Sequence, residues 1–144
     1  TDFPTWGKDT GPNGSGAFSF DGGDYLLAGD IFPLNSSYTK TAWVNVNGAG
    51  FRNIMSSVLH ADNNHTFKID LDGTLNAGHS LGTSIVHDPT PLTPDQWYFV
   101  AVTFDYATGQ MILYKDGAVV DVETVPGALI SVIDQSVLII TDPP

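Results

Sequence analysis

Glu123 is the only glutamate among the 16 acidic residues of this 144-residue chain; the others are aspartates. Four histidines stand at 60, 65, 79 and 87, and cysteine is absent. Hydrolysis of a glycosidic bond with retention needs two carboxylates about 5–5.5 Å apart, commonly on alternate positions of one strand. Asp70 and Asp72 in "KIDLDGT" alternate in this way. The second falls in a turn signal, where Asp is expected for its own reasons. A serine nucleophile would need a strained elbow, and neither "GTS" nor "MSS" has that context. Thiolate chemistry and disulfides are excluded by composition. The expectation is that the protein is not an enzyme.

Two stretches suit binding better. In "FDGGDY", Asp21 and Asp24 flank a tight glycine turn whose carbonyls could join the carboxylates around a hard cation, and Ca²⁺ favours such flexible all-oxygen shells. A β-turn with Asp at its favoured positions accounts for the same residues equally well. The spacing is not that of an EF-hand loop. In "HADNNH", His60, Asp62, Asn63 and His65 offer donors and acceptors suited to sugar hydroxyls. Two loop histidines could also take zinc, a weak signal, and a loop histidine is more often simply exposed. Phe51 and Arg52 follow the glycine-rich "VNGAG" and either contact a ligand or close a lid over an apolar edge. Sugar sites combine planar hydrogen-bonding groups with an aromatic face. Phe51, Arg52, His60, Asp62, Asn63 and His65 are therefore the expected ligand-binding set, and Asp21 and Asp24 the expected metal pair. Trp43 and Trp97 are assigned to packing.

The formal charge of −11 disfavours nucleic acid, whose phosphates require a basic footprint, and anionic membrane surfaces likewise. No apolar run approaches the roughly 20 residues that span a bilayer. The chain opens at Thr1 without a visible signal peptide and reads as a mature or excised product.

The elements that must position these residues are strands. Helical periodicity is nearly absent, while short apolar or alternating runs bounded by Gly, Pro, Asn and Asp abound. They include "GAFSF" (16–20), "DYLLA" (24–28), "KTAWVNV" (40–46), "NIMSSVL" (53–59), "HTFKIDL" (65–71), "TLNAGHS" (74–80), "WYFVAVTF" (97–104), "MILYK" (111–115), "AVVDVETV" (118–125) and "SVLII" (136–140). "WYFVAVTF" and "MILY" are apolar at both parities, as in strands covered on both faces. The "KDG" turn predicts a tight hairpin between the "MILYK" and "AVVDVETV" strands. The pattern implies an all-β antiparallel two-sheet sandwich over 17–144, preceded by a Gly/Pro-rich lead-in at 1–16.

The order "GAFSFDGGDYL", "TAWV", "PLTPDQWYFVAVTFD", "GQMILYKDG" resembles the laminin-G-like, concanavalin-A-like lectin/glucanase jelly rolls, over about residues 14–140. In the pattern of that family a last strand returns beside the first. The segment resembling its predecessor here is "SVLIITDPP", so the last family strand is apparently missing and an edge is left for a neighbouring domain or chain to complete. The family's catalytic version uses a Glu-x-Asp-x-x-Glu arrangement, which a chain with one glutamate cannot build. Its lyases use a Gln-x-His segment and a Tyr-rich closing strand, neither of which occurs here. The resemblance implies a lectin-like carbohydrate-binding module, assisted by calcium, from an extracellular or cell-surface bacterial protein such as an adhesin, with a glycan or polysaccharide as partner. The alternatives are a structural or protein-binding spacer and a polysaccharide-degrading enzyme with an unrecognised site.

Overall fold

The computed structural model describes residues 3–29, 31, 36–48, 50–57, 65–79, 85–124 and 137–139. In chain order its strands are β1 (Thr5–Gly7), β2 (Ala17–Ser19), β3 (Leu26–Leu27), β4 (Tyr38–Asn45), β5 (Arg52–Asn53), β6 (Ser56–Ser57) and β7 (Thr66–Ile69). There follow β8 (Leu75–Gly78), β9 (Val86–Asp88), β10 (Trp97–Asp105), β11 (Gln110–Lys115), β12 (Ala118–Thr124) and β13 (Val137–Ile139). A single 3₁₀ turn at Pro12–Gly14 is the one helical element among the described residues.

Turn chemistry fixes the longest hairpin. Asp116 (φ 51°) and Gly117 (φ 81°) both take positive φ, as the two-residue turn joining β11 to β12 requires. The Asp116 carboxylate accepts the Phe99 N–H at 2.9 Å and ties that turn to β10. The back layer is the antiparallel sheet β12-β11-β10-β4. The front layer comprises two hydrogen-bonded sets of strands, β5-β7-β8-β9 and β3-β13-β6. The N–H groups of Ile54 and Met55 both reach the Phe67 carbonyl, at 2.8 and 3.0 Å. Two residues opposing one is a β-bulge, so β5 and β6 are halves of one bent strand and the front layer is continuous.

Alternation then builds the core. Val44, Val100, Val102, Met111 and Leu113 point inward from the back layer and meet Ile54, Phe67, Ile69, Leu75, Ala77 and Val86 from the front. On the back layer's outer surface the other parity is also apolar, with Trp43 and Phe99 rings 5.5 Å apart and Val119 and Val122 exposed. Trp43, expected in the core, is 49% exposed. Its parity on an edge strand, opposite to that of Val44, turns it away from the interior.

The lead-in is more ordered than its composition predicts. β1 pairs with β2 through Trp6↔Phe18. The Trp6 indole lies so close to Gly16 that a Cβ there would stand 2.1 Å from Cζ2. "SVLII" supplies β13, held between β3 and β6. Among the described residues β4 is the terminal strand of the back layer.

Candidate functional site

A groove of about 550 Å³ opens along the β4 edge, within the range typical of small-molecule sites. The back layer gives it Trp43, Asn45 and Trp97, and the bend after β4 adds Asn47. Arg52 and Asn53 of β5 face it from the front layer, and the β1–β2 hairpin with Phe20 and Asp21 closes the third side. Period-two alternation in "WVNVN" places Trp43, Asn45 and Asn47 on one side of the chain. That spacing was the signal available in the sequence, and assigning Trp43 to packing hid it. The Arg52 guanidinium folds back over Gly50 and donates to the Phe51 carbonyl at 3.1 Å. A second hollow, about 420 Å³, lies at the other end of β4 between Ser37, Thr39, Thr103 and Gln110.

The "FDGGDY" turn borders the groove through Asp21. Asp24 is 3% exposed, and its Oδ2 accepts the Asp21 N–H at 3.2 Å. Its Oδ1 is buried and has no hydrogen-bond partner among the described residues. A buried carboxylate oxygen left in that state is costly, and a hard cation would relieve it. The Asp21 side chain accepts the Gly23 N–H at 3.4 Å. Among the described residues no three His, Asp or Glu side chains gather around one point, so backbone oxygens and water would have to supply most of a calcium shell.

The expected ligand-binding set is not assembled by the described residues. His60, Asp62 and Asn63 lie outside them. Arg52 faces the groove, but Phe51 sits beneath the Lys68 ammonium, which is 5.2 Å from its ring centroid. His65 is at the opposite end of β7 from Ile69, the register partner of Arg52, about 13 Å along the strand. It belongs to an interior cluster instead. Its ring is 4.9 Å from that of Tyr38 and 5.6 Å from that of His79, and His79 Nδ1 is hydrogen-bonded to the Tyr38 hydroxyl at 2.8 Å. Lys40 Nζ donates to the Met55 carbonyl at 3.2 Å and lies 5.5 Å from the Tyr38 ring centroid.

Burial governs the protonation of this cluster. It lowers Lys40 to about 7 and raises Tyr38 above its ordinary value. His65 falls to about 3, through burial first and then the charges of Lys40 and His79. Asp72 is held below the usual carboxylate value by the Thr74 hydroxyl and N–H, the signature of a turn cap. Asp70 pairs with Lys68 at 2.8 Å. The two carboxylates thus serve different local partners.

A family model described as the concanavalin A-like lectin/glucanases superfamily matches residues 20–143. The chain belongs to that superfamily. Among solved structures it is similar to the carbohydrate-binding module CBM66 from Bacillus subtilis, with 16% identity and a TM-score of 0.53 over 96% of this chain and 89% of that one. It is also similar to the native heptameric SAP-like pentraxin from Limulus polyphemus, with 19% identity and a TM-score of 0.50 over 75% of this chain. The matched part makes up about half (52%) of the pentraxin chain. At these identities the likeness establishes the sandwich. No curated protein matches the sequence.

Proposed function

We propose that the chain is a non-catalytic carbohydrate-binding module of an extracellular or cell-surface bacterial protein, and that the groove beside β4 is its glycan site. The observation that carries this reading is the groove's lining. Trp43 and Trp97 bring aromatic rings to its lining, and Asn45, Asn47, Asn53 and Arg52 bring planar donors and acceptors to the same groove. Membership of a lectin and glucanase superfamily and the likeness to a carbohydrate-binding module support the same class. With one glutamate the chain cannot build the family's Glu-x-Asp-x-x-Glu arrangement, which supports contact rather than bond cleavage.

Calcium fits the turn next to the groove. Asp24 Oδ1 would hold the ion with Asp21 and neighbouring carbonyls. The ion would supply rigidity to the 21–24 turn, one wall of the groove, and would neutralise part of a charge of −11. Single-site affinity is expected on the order of 10–1,000 µM, because sugar hydroxyls replace water hydrogen bonds of similar strength.

Titration calorimetry against a panel of neutral and acidic oligosaccharides, with calcium and with chelator, tests the reading. Binding by the wild type and at least a tenfold loss in Trp43→Ala are the expected results. No heat with any saccharide would overturn it in favour of a spacer or protein-binding module. The apolar outer surface around Phe99, Val119 and Val122, and a β4 edge with no partner strand among the described residues, speak for that second reading.

A further inference from the structure

Asn47 is exposed in the bend after β4 and lines the groove. Glycine follows it, and before glycine an asparagine side chain closes most readily on the next backbone nitrogen, because no Cβ stands in the way. Ring closure needs that nitrogen free of a hydrogen bond and the local backbone free to turn it towards the side-chain carbonyl carbon. Gly48 meets both conditions. Among the described residues its N–H has no acceptor, the Asn47 amide makes no hydrogen bond, and a Cβ on Gly48 would meet nothing within 4 Å. The other described asparagines are held differently. Asn13 also precedes a glycine, but its φ of 56° and ψ of 30° point the Gly14 nitrogen away from its side chain. The Ser15 N–H, donated to the Pro12 carbonyl at 3.1 Å, closes that turn. Asn53 precedes Ile54, whose N–H is donated to the Phe67 carbonyl at 2.8 Å. Asn45 is paired with Trp97 and followed by β-branched Val46, and Asn76 is buried between β7 and β9.

We propose that Asn47–Gly48 is a self-deamidating site, which converts one wall of the groove from amide to carboxylate as the protein ages. The Gly48 nitrogen, having given its proton to hydroxide, bonds to Asn47 Cγ. The bond from Cγ to the side-chain nitrogen breaks, and ammonia leaves. Water then adds to one of the two carbonyls of the succinimide and opens it to aspartate or to isoaspartate, whose main chain runs through the side-chain methylene. The net change is amide plus water to carboxylate plus ammonium, with nothing oxidised or reduced. An amide donates and accepts whereas a carboxylate only accepts, so a ligand hydroxyl loses a donor. Isoaspartate also lengthens the main chain between β5 and Val46, whose carbonyl accepts the Asp95 N–H at 2.8 Å, and so displaces this wall against Trp43 and Asn45. The effect on binding rests on the glycan reading of the groove; the modification itself does not.

Ageing the intact chain at pH 8, with peptide mapping by mass spectrometry and an isoaspartate assay, tests the site. Conversion at Asn47 should run at least tenfold faster than at Asn13, quicken as pH rises, and vanish in Asn47→Gln, whose longer side chain would have to close a six-membered ring. In urea, which releases the turn at Asn13, the two Asn-Gly pairs should react at similar rates. An Asn47 that stays intact, or that converts no faster than Asn13 in the folded chain, would overturn the proposal. Calorimetry with the oligosaccharide that binds best should show at least threefold weaker binding by the aged wild type than by the fresh protein, and no loss on ageing of Asn47→Gln. Unchanged affinity after conversion would remove Asn47 from the groove's function. No binding by the fresh protein would end the glycan reading and leave the peptide map to judge the chemistry.

Discussion

Asp88 and Lys115 form an ion pair that ties β9 of the front layer to β11 of the back layer. The two side chains are unequally buried, 5% exposed for Asp88 against 19% for Lys115. That inequality predicts unequal costs. Lys115→Met strands a nearly buried carboxylate whose remaining hydrogen bond among the described residues is from the Thr90 N–H at 2.9 Å. Breaking a buried pair in this way costs about 3–5 kcal/mol. Asp88→Asn leaves an ammonium on a flexible stem that can turn to solvent, and keeps an acceptor for Thr90. Its cost is expected at about 1–2 kcal/mol. For a chain of this length the difference corresponds to a gap of roughly 4–12 °C in Tm. Urea unfolding at pH 7 measures both variants and the double variant Lys115→Met/Asp88→Asn, whose destabilisation should fall short of the sum by at least about 1 kcal/mol. The reasoning fails should Asp88→Asn prove the more damaging single change, or should the two costs add within about 0.5 kcal/mol.

Other outcomes follow from single contacts. Gly117→Ala forces a Cβ onto a residue at φ 81° and should destabilise the β11–β12 hairpin by about 1 kcal/mol, read as a fall in the urea midpoint with unchanged slope. Gly16→Ala should expel the Trp6 indole from the β1–β2 hairpin and shift tryptophan emission to the red without a comparable loss of global stability, since that hairpin contributes no residue to the main core. Asp24→Asn should abolish any calcium-dependent rise in Tm while leaving the Tm in chelator within a few degrees of the wild type.

Much of the sandwich was legible because alternation and turn chemistry are local. "WYFVAVTF", "MILYK" and the Asp-Gly turn appear as β10, β11 and the turn that joins β11 to β12, with boundaries moved by a residue or two. β1 and β9 were missed. Thr5–Gly7 is held by pairing with β2 rather than by composition, and "VHD" is a three-residue strand with histidine at its centre. The site was harder to read. Arg52 and Asn53 line the groove from the front layer and Asn45 and Asn47 from β4 and the bend after it, residues far apart in the chain, with a bulge following β5. His65 is polar beside a polar loop, yet a ring-to-ring contact with Tyr38 from another strand draws it inward. Neither the bulge nor that contact has a local signature in the sequence. The burial of Lys40 likewise has no local sign, for it comes from inward parity on β4 and a hydrogen bond to the Met55 carbonyl of the facing layer.

The most direct test of the glycan site is a backbone and side-chain NMR titration of the isotopically labelled chain with the oligosaccharide that binds best. The account predicts shifts concentrated on the indole N–H groups of Trp43 and Trp97 and the side-chain amides of Asn45, Asn47 and Asn53, with the outer surface around Val119 and Val122 unmoved. Shifts centred on that outer surface or on His65 and His79, with the groove silent, would contradict it.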